Sequence, residues 1–330
     1  MRKTIYIFSD GALQRKDNTI CFNSPEGKKY LPVEDIHELF LFGEVDLNKR
    51  FLEFASQKEI LIHYFNYYGY YMGTFYPREH YNSGYMILRQ AKHYLDNSKR
   101  MVIARQFTAG AVANIKKVLR YYQNRGKNMQ NSLDAIEELE LSLDACKNTS
   151  ELMAIEGNIR NYYYKAFEEI LADPDFIFQE RSRRPPKNYL NCLISFGNSI
   201  LYTFILSEIY RTHLDPRIGF LHATNFRRFS LNLDVAEIFK PIIIDRLIFT
   251  LIGKRMLSKA DFERDMGGVL LKEKGKKKFV EELEKRLKAT IKHRSTNRKV
   301  SYRRLLRLEL YKLEKHLMGE SDYEPFIAQW

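Results

Sequence analysis

The stretch 219–241, GFLHATNFRRFSLNLDVAEIFKP, brings one histidine, two carboxylates, three cations and a helix start into a short run. Ser230 has the chemistry of an N-cap, so a helix is predicted behind it, with Asp234 and Glu237, three apart, on one face. His222 precedes that helix. A carboxylate pair facing an imidazole suits a divalent metal, and Arg227 and Arg228 beside it suit phosphate better than a small neutral substrate. A further oxygen ligand would come from another element, and Glu156 in AIEGNIRNYYYKAF is the candidate. Alone it reads as a surface carboxylate. Gly157 beside it raises its standing, because a mid-helix glycine costs about 1 kcal/mol relative to alanine and usually marks a close approach to the backbone. Glu156, His222 and Glu237 around one ion would nearly neutralise Mn²⁺ or Mg²⁺ and leave positions for water and phosphate oxygens. Such an ion lowers the pKa of a hydroxyl nucleophile and stabilises charge on a transferring phosphate.

The surroundings suit a polyanion. The chain has 330 residues and a formal net charge of +13, which favours nucleic acid first and an anionic membrane second. The most apolar helical run, 242–252, is broken by Asp245 and Arg246 and is too short to span a bilayer. Met1 leads into a short strand rather than a signal peptide, and Cys21, Cys146 and Cys192 lack ligand spacing, so a cytoplasmic protein without a zinc site or disulfide framework is expected. No Walker-type loop and no HExxH pair occurs, and Ser195 in LISFGNS lacks an elbow motif.

Strands are expected at 4–8, 19–22, 38–42, 60–65 and 70–75, with a helix over 46–58 between the third and fourth. His37 and His63 in these strands read as structural. From residue 85 the period becomes helical, with helices expected over 86–96, 99–124, 132–145, 150–172, 189–213, 231–257 and 280–292. The expected fold class is thus α+β: a β-rich domain with one helix over 1–76, a linker over 77–84 and a larger all-α domain over 85–330. The runs 272–278 and 292–307 are the densest positive segments, either a solvated face or DNA contacts.

Leu88-Arg89-Gln90, Glu156-Gly157 with Tyr163 seven beyond the glutamate, Arg181-Ser182-Arg183-Arg184-Pro185-Pro186, Ser195-Phe196-Gly197, the 219–241 block and Tyr323-Glu324-Pro325-Phe326 together resemble one family in order and spacing. This is the CRISPR-associated integrase/endonuclease family, the "Cas one" proteins of spacer acquisition, and the SFGN and EIFKP variants look most like its subtype I-B branch. The resemblance implies an N-terminal domain that mediates a homodimer and a catalytic domain whose metal ligands fall on Glu156, His222 and Glu237, with Asp234 as support or alternative ligand. It implies that the 3′-hydroxyl of a captured double-stranded DNA fragment attacks a phosphodiester at the edge of a CRISPR repeat, with a small "Cas two" protein bridging two integrase dimers. Arg227, Arg228 and Lys240 would then contact phosphate, and Arg181, Arg183 and Arg184 form a basic approach. Tyr163 would contact DNA or orient a ligand, against the plainer reading of a core tyrosine. Two departures from the family pattern, Asn188-Tyr189 after the double proline and Arg160 in place of a small residue, are expected to leave the ligands untouched. A nuclease acting on branched or single-stranded DNA, and a non-catalytic DNA-binding scaffold, are the competing functions.

Overall fold

β-branched and aromatic residues in short runs between turns build the first part of the chain, and long apolar stripes at three- and four-residue spacing build the rest. In the computed structural model, which describes residues 3–77, 81, 83–224, 229–265, 267–292 and 297–329, these become two units, Met1–Tyr81 and Asn82–Trp330.

The first unit contains β1 (Lys3–Ile7), β2 (Gly11–Lys16), β3 (Thr19–Ser24), β4 (Gly27–Pro32), β5 (Ile36–Leu41), β6 (Val45–Leu47), α1 (Lys49–Gln57), β7 (Leu61–Phe65) and β8 (Tyr71–Phe75). One sheet runs β1-β5-β7-β8 and the other β4-β3-β2-β6. Leu13 and Ile20 from one sheet, Leu39 and Ile62 from the other, and Phe51 and Phe54 of α1 share a buried core. β2, β4 and β6 are absent from the sequence expectation, since GALQRK and GKKYLP are too polar to show periodicity. β2 and β4 form because the buried β3 needs backbone partners on both edges, and β6 pairs in turn with β2. The helix expected from residue 46 starts at Lys49, where the Asn48 side chain accepts from Phe51 N–H, and Asp46 belongs to β6. His63 is fully buried, with its Nδ1 2.7 Å from the Thr74 hydroxyl.

The second unit holds α2 (Gly84–Leu95), α3 (Asn97–Gln123), α4 (Gln130–Glu140), α5 (Thr149–Leu171), α6 (Tyr189–Ile209), α7 (Leu231–Lys240), a wide turn (Pro241–Asp245), α8 (Arg246–Gly253), α9 (Glu273–Lys288) and α10 (Tyr302–Met318). It also carries two hairpins, β9 (Phe262–Asp265) with β10 (Gly268–Leu271) and β11 (Thr290–Lys292) with β12 (Lys299–Ser301). The positive segment 272–278 opens α9, and 292–307 runs through β12 into α10, a helix masked in the sequence by its arginines.

α6 is largely apolar and buried on every side, as a helix at the centre of a bundle must be, with Asn191, Ser207 and Glu208 among its buried residues. It is the helix among the described residues long and apolar enough to cross a membrane by length and composition, a distinction the sequence reading did not give it, and most of it is buried inside this unit. The single helix expected over 231–257 is three pieces. Pro241 has no N–H to give the carbonyl four residues back, and the chain widens into a π-helical turn there before resuming as α8. α7 packs against α3 and α6, and Asn114 of α3 fixes its end by donating to the Ile238 and Phe326 carbonyls, each at 2.9 Å, while accepting from Ala328 N–H at 2.8 Å.

Gly197 of α6 lies tightly against the wide turn: a Cβ there would lie 2.6 Å from Ile244 Cγ2 and 2.8 Å from Phe279 Cζ. Gly197→Ala is therefore expected to overpack the bundle and cost about 1–3 kcal/mol, read as a lower denaturation midpoint in urea at unchanged slope.

Candidate active site

The loop before α7 is held by a carboxylate that is fully withdrawn from solvent, that of Asp234. Asp234 Oδ2 accepts from Phe220 N–H at 2.5 Å and Leu221 N–H at 3.0 Å, and its Oδ1 accepts from His222 N–H at 2.9 Å. Oδ1 also lies 2.7 Å from His222 Nδ1, and since a carboxylate only accepts, Nδ1 carries the shared hydrogen. Ser230 does not cap α7 through its side chain as expected. Its hydroxyl accepts from Gly219 N–H and donates to the Arg217 carbonyl, each at 2.8 Å, so it closes the same loop instead. The approach is close enough that a Cβ on Gly219 would sit 2.8 Å from Asp234 Oδ2. The imidazole is left a quarter exposed with its Nε2 edge outward from the Asp234 bond. Burial pulls the His222 pKa down, but the hydrogen bond and charge of Asp234, with Glu237 beyond, more than offset this and raise it.

Glu156 and Glu237 come from α5 and α7 and converge on a single cation. Arg160, one turn on from Glu156, sends Nε to Glu156 Oε1 and Nη2 to Glu237 Oε2, and Lys240 Nζ lies 2.5 Å from Glu237 Oε1. Burial alone would push the Glu237 pKa up, yet Arg160, Lys240 and His222 hold it far below the usual carboxylate range. For Glu156, burial prevails over Arg160 and the pKa is raised. Arg160, expected to leave the ligands untouched, thus binds both carboxylates: Glu156 because four residues along a helix is the spacing at which side chains meet, and Glu237 because α7 packs it alongside. Gly157 is not the site of close approach expected of it: it is exposed, and a Cβ there would meet nothing within 4 Å.

Other residues picked out by sequence are placed differently. Tyr163 is fully buried against Tyr164 and Phe167, which puts it in the core and away from any DNA surface. Lys240 is buried over the Tyr202 ring and paired with Glu237, so its charge is spent inside the protein. Arg181 Nη1 donates to Asn191 Oδ1 at 2.8 Å and Nη2 to Ser195 Oγ at 3.0 Å, tying its segment to α6. Arg183 and Arg184 are exposed. Arg227 and Arg228 lie outside the described residues. Besides Arg160, Asp245 is absent from the expected site: it is fully buried at the end of the wide turn, and burial raises its pKa to about 7. Its signal was present as a charge interrupting an apolar run.

Among the described residues, no three His, Cys, Asp or Glu side chains stand close enough together to hold an ion as they are now arranged. The donor chemistry nevertheless fits a divalent cation. Two carboxylates from separate helices already share one positive group, and an imidazole oriented through Nδ1 lies within electrostatic reach of Glu237. The place between the carboxylates is filled by the protein's own guanidinium.

The chain matches the family model for "CRISPR associated protein Cas1" over residues 5–285. It is similar, at 58% identity over 330 residues and the whole of both chains, to a CRISPR-associated endonuclease Cas1 of Thermodesulfovibrio yellowstonii. It superposes on the solved structure of a Cas1 protein from Thermotoga maritima with a TM-score of 0.90 and 49% identity, covering 98% of this chain and 99% of that one. A casposase bound to its integration product shares the fold, with a TM-score of 0.89 at 20% identity, over 98% of this chain and 93% of the other.

Asp234→Asn keeps the shape of the loop clamp but loses the charge that holds three N–H groups and the imidazole. It is expected to cost about 2–4 kcal/mol in urea unfolding and to bring the His222 titration, followed by NMR of the ring protons, down from its raised position. For Asp245 the folded pKa of about 7 lies above the ordinary 3.8, so the folded state holds the proton more tightly and loses stability as pH climbs between those values. The stability of Asp245→Asn relative to the native protein should therefore grow from pH 4 to 7 and then level off, by at most about 1.4 kcal/mol per pH unit, in thermal melts across that range.

Proposed function

Because the chain belongs to the Cas1 family of CRISPR-associated proteins, we propose that it is the DNA integrase of CRISPR adaptation, joining captured double-stranded fragments to a repeat. The observation that carries this reading is the convergence of Glu156 and Glu237, from two helices, on one cationic position beside an imidazole oriented by Asp234. A carboxylate, a carboxylate and an imidazole nitrogen are ligands for Mn²⁺ or Mg²⁺, which when held by Glu156, His222 and Glu237 would activate a hydroxyl and take up charge on phosphate. The attacking group is the fragment's 3′-hydroxyl: its oxygen forms a new bond to phosphorus, the old 3′-oxygen leaves, and the hydroxyl proton passes to the leaving group through solvent. The chain's residues keep this geometry in place. Asp234 fixes the imidazole and its loop, and α5 and α7 bring up the carboxylates.

The positive balance of +13 supports DNA as substrate, since phosphate contacts provide affinity without reading sequence. Exposed Arg183 and Arg184 are the candidates for those contacts, together with Arg227 and Arg228. Open space beside Gly157 leaves room for a nucleic-acid backbone next to Glu156. Homodimerisation through the β-rich unit, a Cas2 partner joining two dimers, a cytoplasmic setting and the subtype I-B branch belong to the same proposal. The relative's printed name, an endonuclease, favours one second reading, in which the same residues direct water in place of a 3′-hydroxyl.

Glu156→Ala, His222→Ala and Glu237→Ala are each expected to reduce Mn²⁺- or Mg²⁺-dependent strand transfer of a short duplex into a repeat-bearing plasmid to background, while DNA binding by gel shift largely survives. Undiminished transfer in all three would sink the assignment. A native protein that cuts branched DNA but never joins a 3′-end, even with its partner, would select the nuclease. Binding without either activity would leave a scaffold.

A further inference from the structure

Buried carboxylates repel one another unless a cation sits between them, and here that cation is built into the chain. Arg160 takes Glu156 with Nε and Glu237 with Nη2, and Nη2 also lies 3.4 Å from the Glu237 carbonyl oxygen. That carbonyl is open to it because Pro241, four residues on, has no N–H to donate. The fork is incompletely used: Nη1 is buried and makes no hydrogen bond among the described residues. Both oxygens of Asp245 are also buried without a hydrogen bond of ordinary geometry among the described residues, although the Tyr163 hydroxyl is near and Arg160 is close enough for its charge to be felt. A donor and a carboxylate, both unsatisfied and both buried, thus lie within electrostatic range of each other.

We propose that Arg160 is an internal substitute for the divalent cation, holding Glu156 and Glu237 together in the metal-free protein, and that Asp245 is the acceptor to which its guanidinium turns when a cation takes those carboxylates. This rests on the metal-site reading above. Two positive groups cannot share the space between the same carboxylates, so cation entry requires the guanidinium to leave, and a buried guanidinium leaves only toward another buried acceptor. The cost of that exchange is subtracted from cation affinity. Arg160 is then a positioning residue: it preserves the carboxylate geometry before the ion arrives and sets the concentration at which the ion wins.

The test uses the full chain, with MnCl₂ as the probe. Binding is followed by titration calorimetry, and melting by fluorimetry in chelator and in MnCl₂. Arg160→Met is expected to melt several degrees lower in chelator, to recover most of that loss in MnCl₂, and to bind Mn²⁺ at least about tenfold more tightly, the factor that one charge-assisted hydrogen bond commands. Arg160→Lys, which keeps the charge without the fork and remains informative if the methionine variant does not fold, should fall between the two. Asp245→Asn should melt no lower in chelator yet bind Mn²⁺ about tenfold more weakly, because the displaced guanidinium has lost its acceptor. Glu237→Gln should abolish the isotherm. Binding by an Arg160 variant where the native protein shows none also supports the proposal. Equal dissociation constants for the native protein and both Arg160 variants overturn it while leaving the metal site standing, and native affinity in Asp245→Asn overturns the part given to Asp245. No Mn²⁺ isotherm in any form overturns the metal site itself, and the substitution with it.

Discussion

A buried carboxylate and a half-buried one held close together are tolerable only with positive charge between them, and the helical unit is arranged around that requirement. Glu156 and Glu237 reach the same place from different helices, so whatever neutralises them also couples α5 to α7. Arg160 supplies one cation from one turn along α5, and Lys240 another from one turn along α7. Each is itself buried, and each has its charge stabilised by the carboxylate it neutralises. Removing any member would leave an unpaired charge in the interior, which is far more costly than the pairing is favourable.

Asp234 and Glu237 show how environment gives two similar side chains different work. They leave the same helix three residues apart. Asp234 faces a run of backbone N–H groups and commits both oxygens to them and to His222, so it acts on the site through the loop and the imidazole. Glu237 faces cations, remains ionised, and keeps a carboxylate that can be passed from one positive partner to another. The glycine at 219 belongs to the first arrangement, since any side chain there would collide with the clamping carboxylate.

Much of this was legible from residue types. The two-part division shows in the change from strand-like runs to helical periodicity near residue 85, and of the expected site residues the fold joins His222 to Asp234 directly and Glu156 to Glu237 through Arg160. What escaped was set by packing. β2 and β4 are strands because β3 needs partners, a demand that polar sequences such as GKKYLP do not announce. The break after α7 follows from one proline whose effect depends on what replaces its missing hydrogen bond. Tyr163 takes the core place that an aromatic run suggests, whereas Lys240 reads as a phosphate contact in sequence and only the bundle turns it inward onto Glu237. Arg160 was visible at helical spacing from Glu156, but a salt bridge across to a second helix requires the fold.

The latch at Asn114 has a bearing on how the protein comes to be made. Its amide grips the end of α7 across 124 residues of chain and Phe326 across 212, so the helix that carries Glu237 is secured by contacts among the most distant in sequence. Closing loops of that length is entropically slow, whereas the clamp of Asp234 on residues 220–222 and the packing of α7 on α6 need only short closures. The local helices can form while the chain is still emerging, but the latch on the end of α7 closes only once residues 326–328 exist. A partly folded chain would therefore have its helices and its positive surface before it had a competent site, and would be a binder of nucleic acid before it was able to alter any.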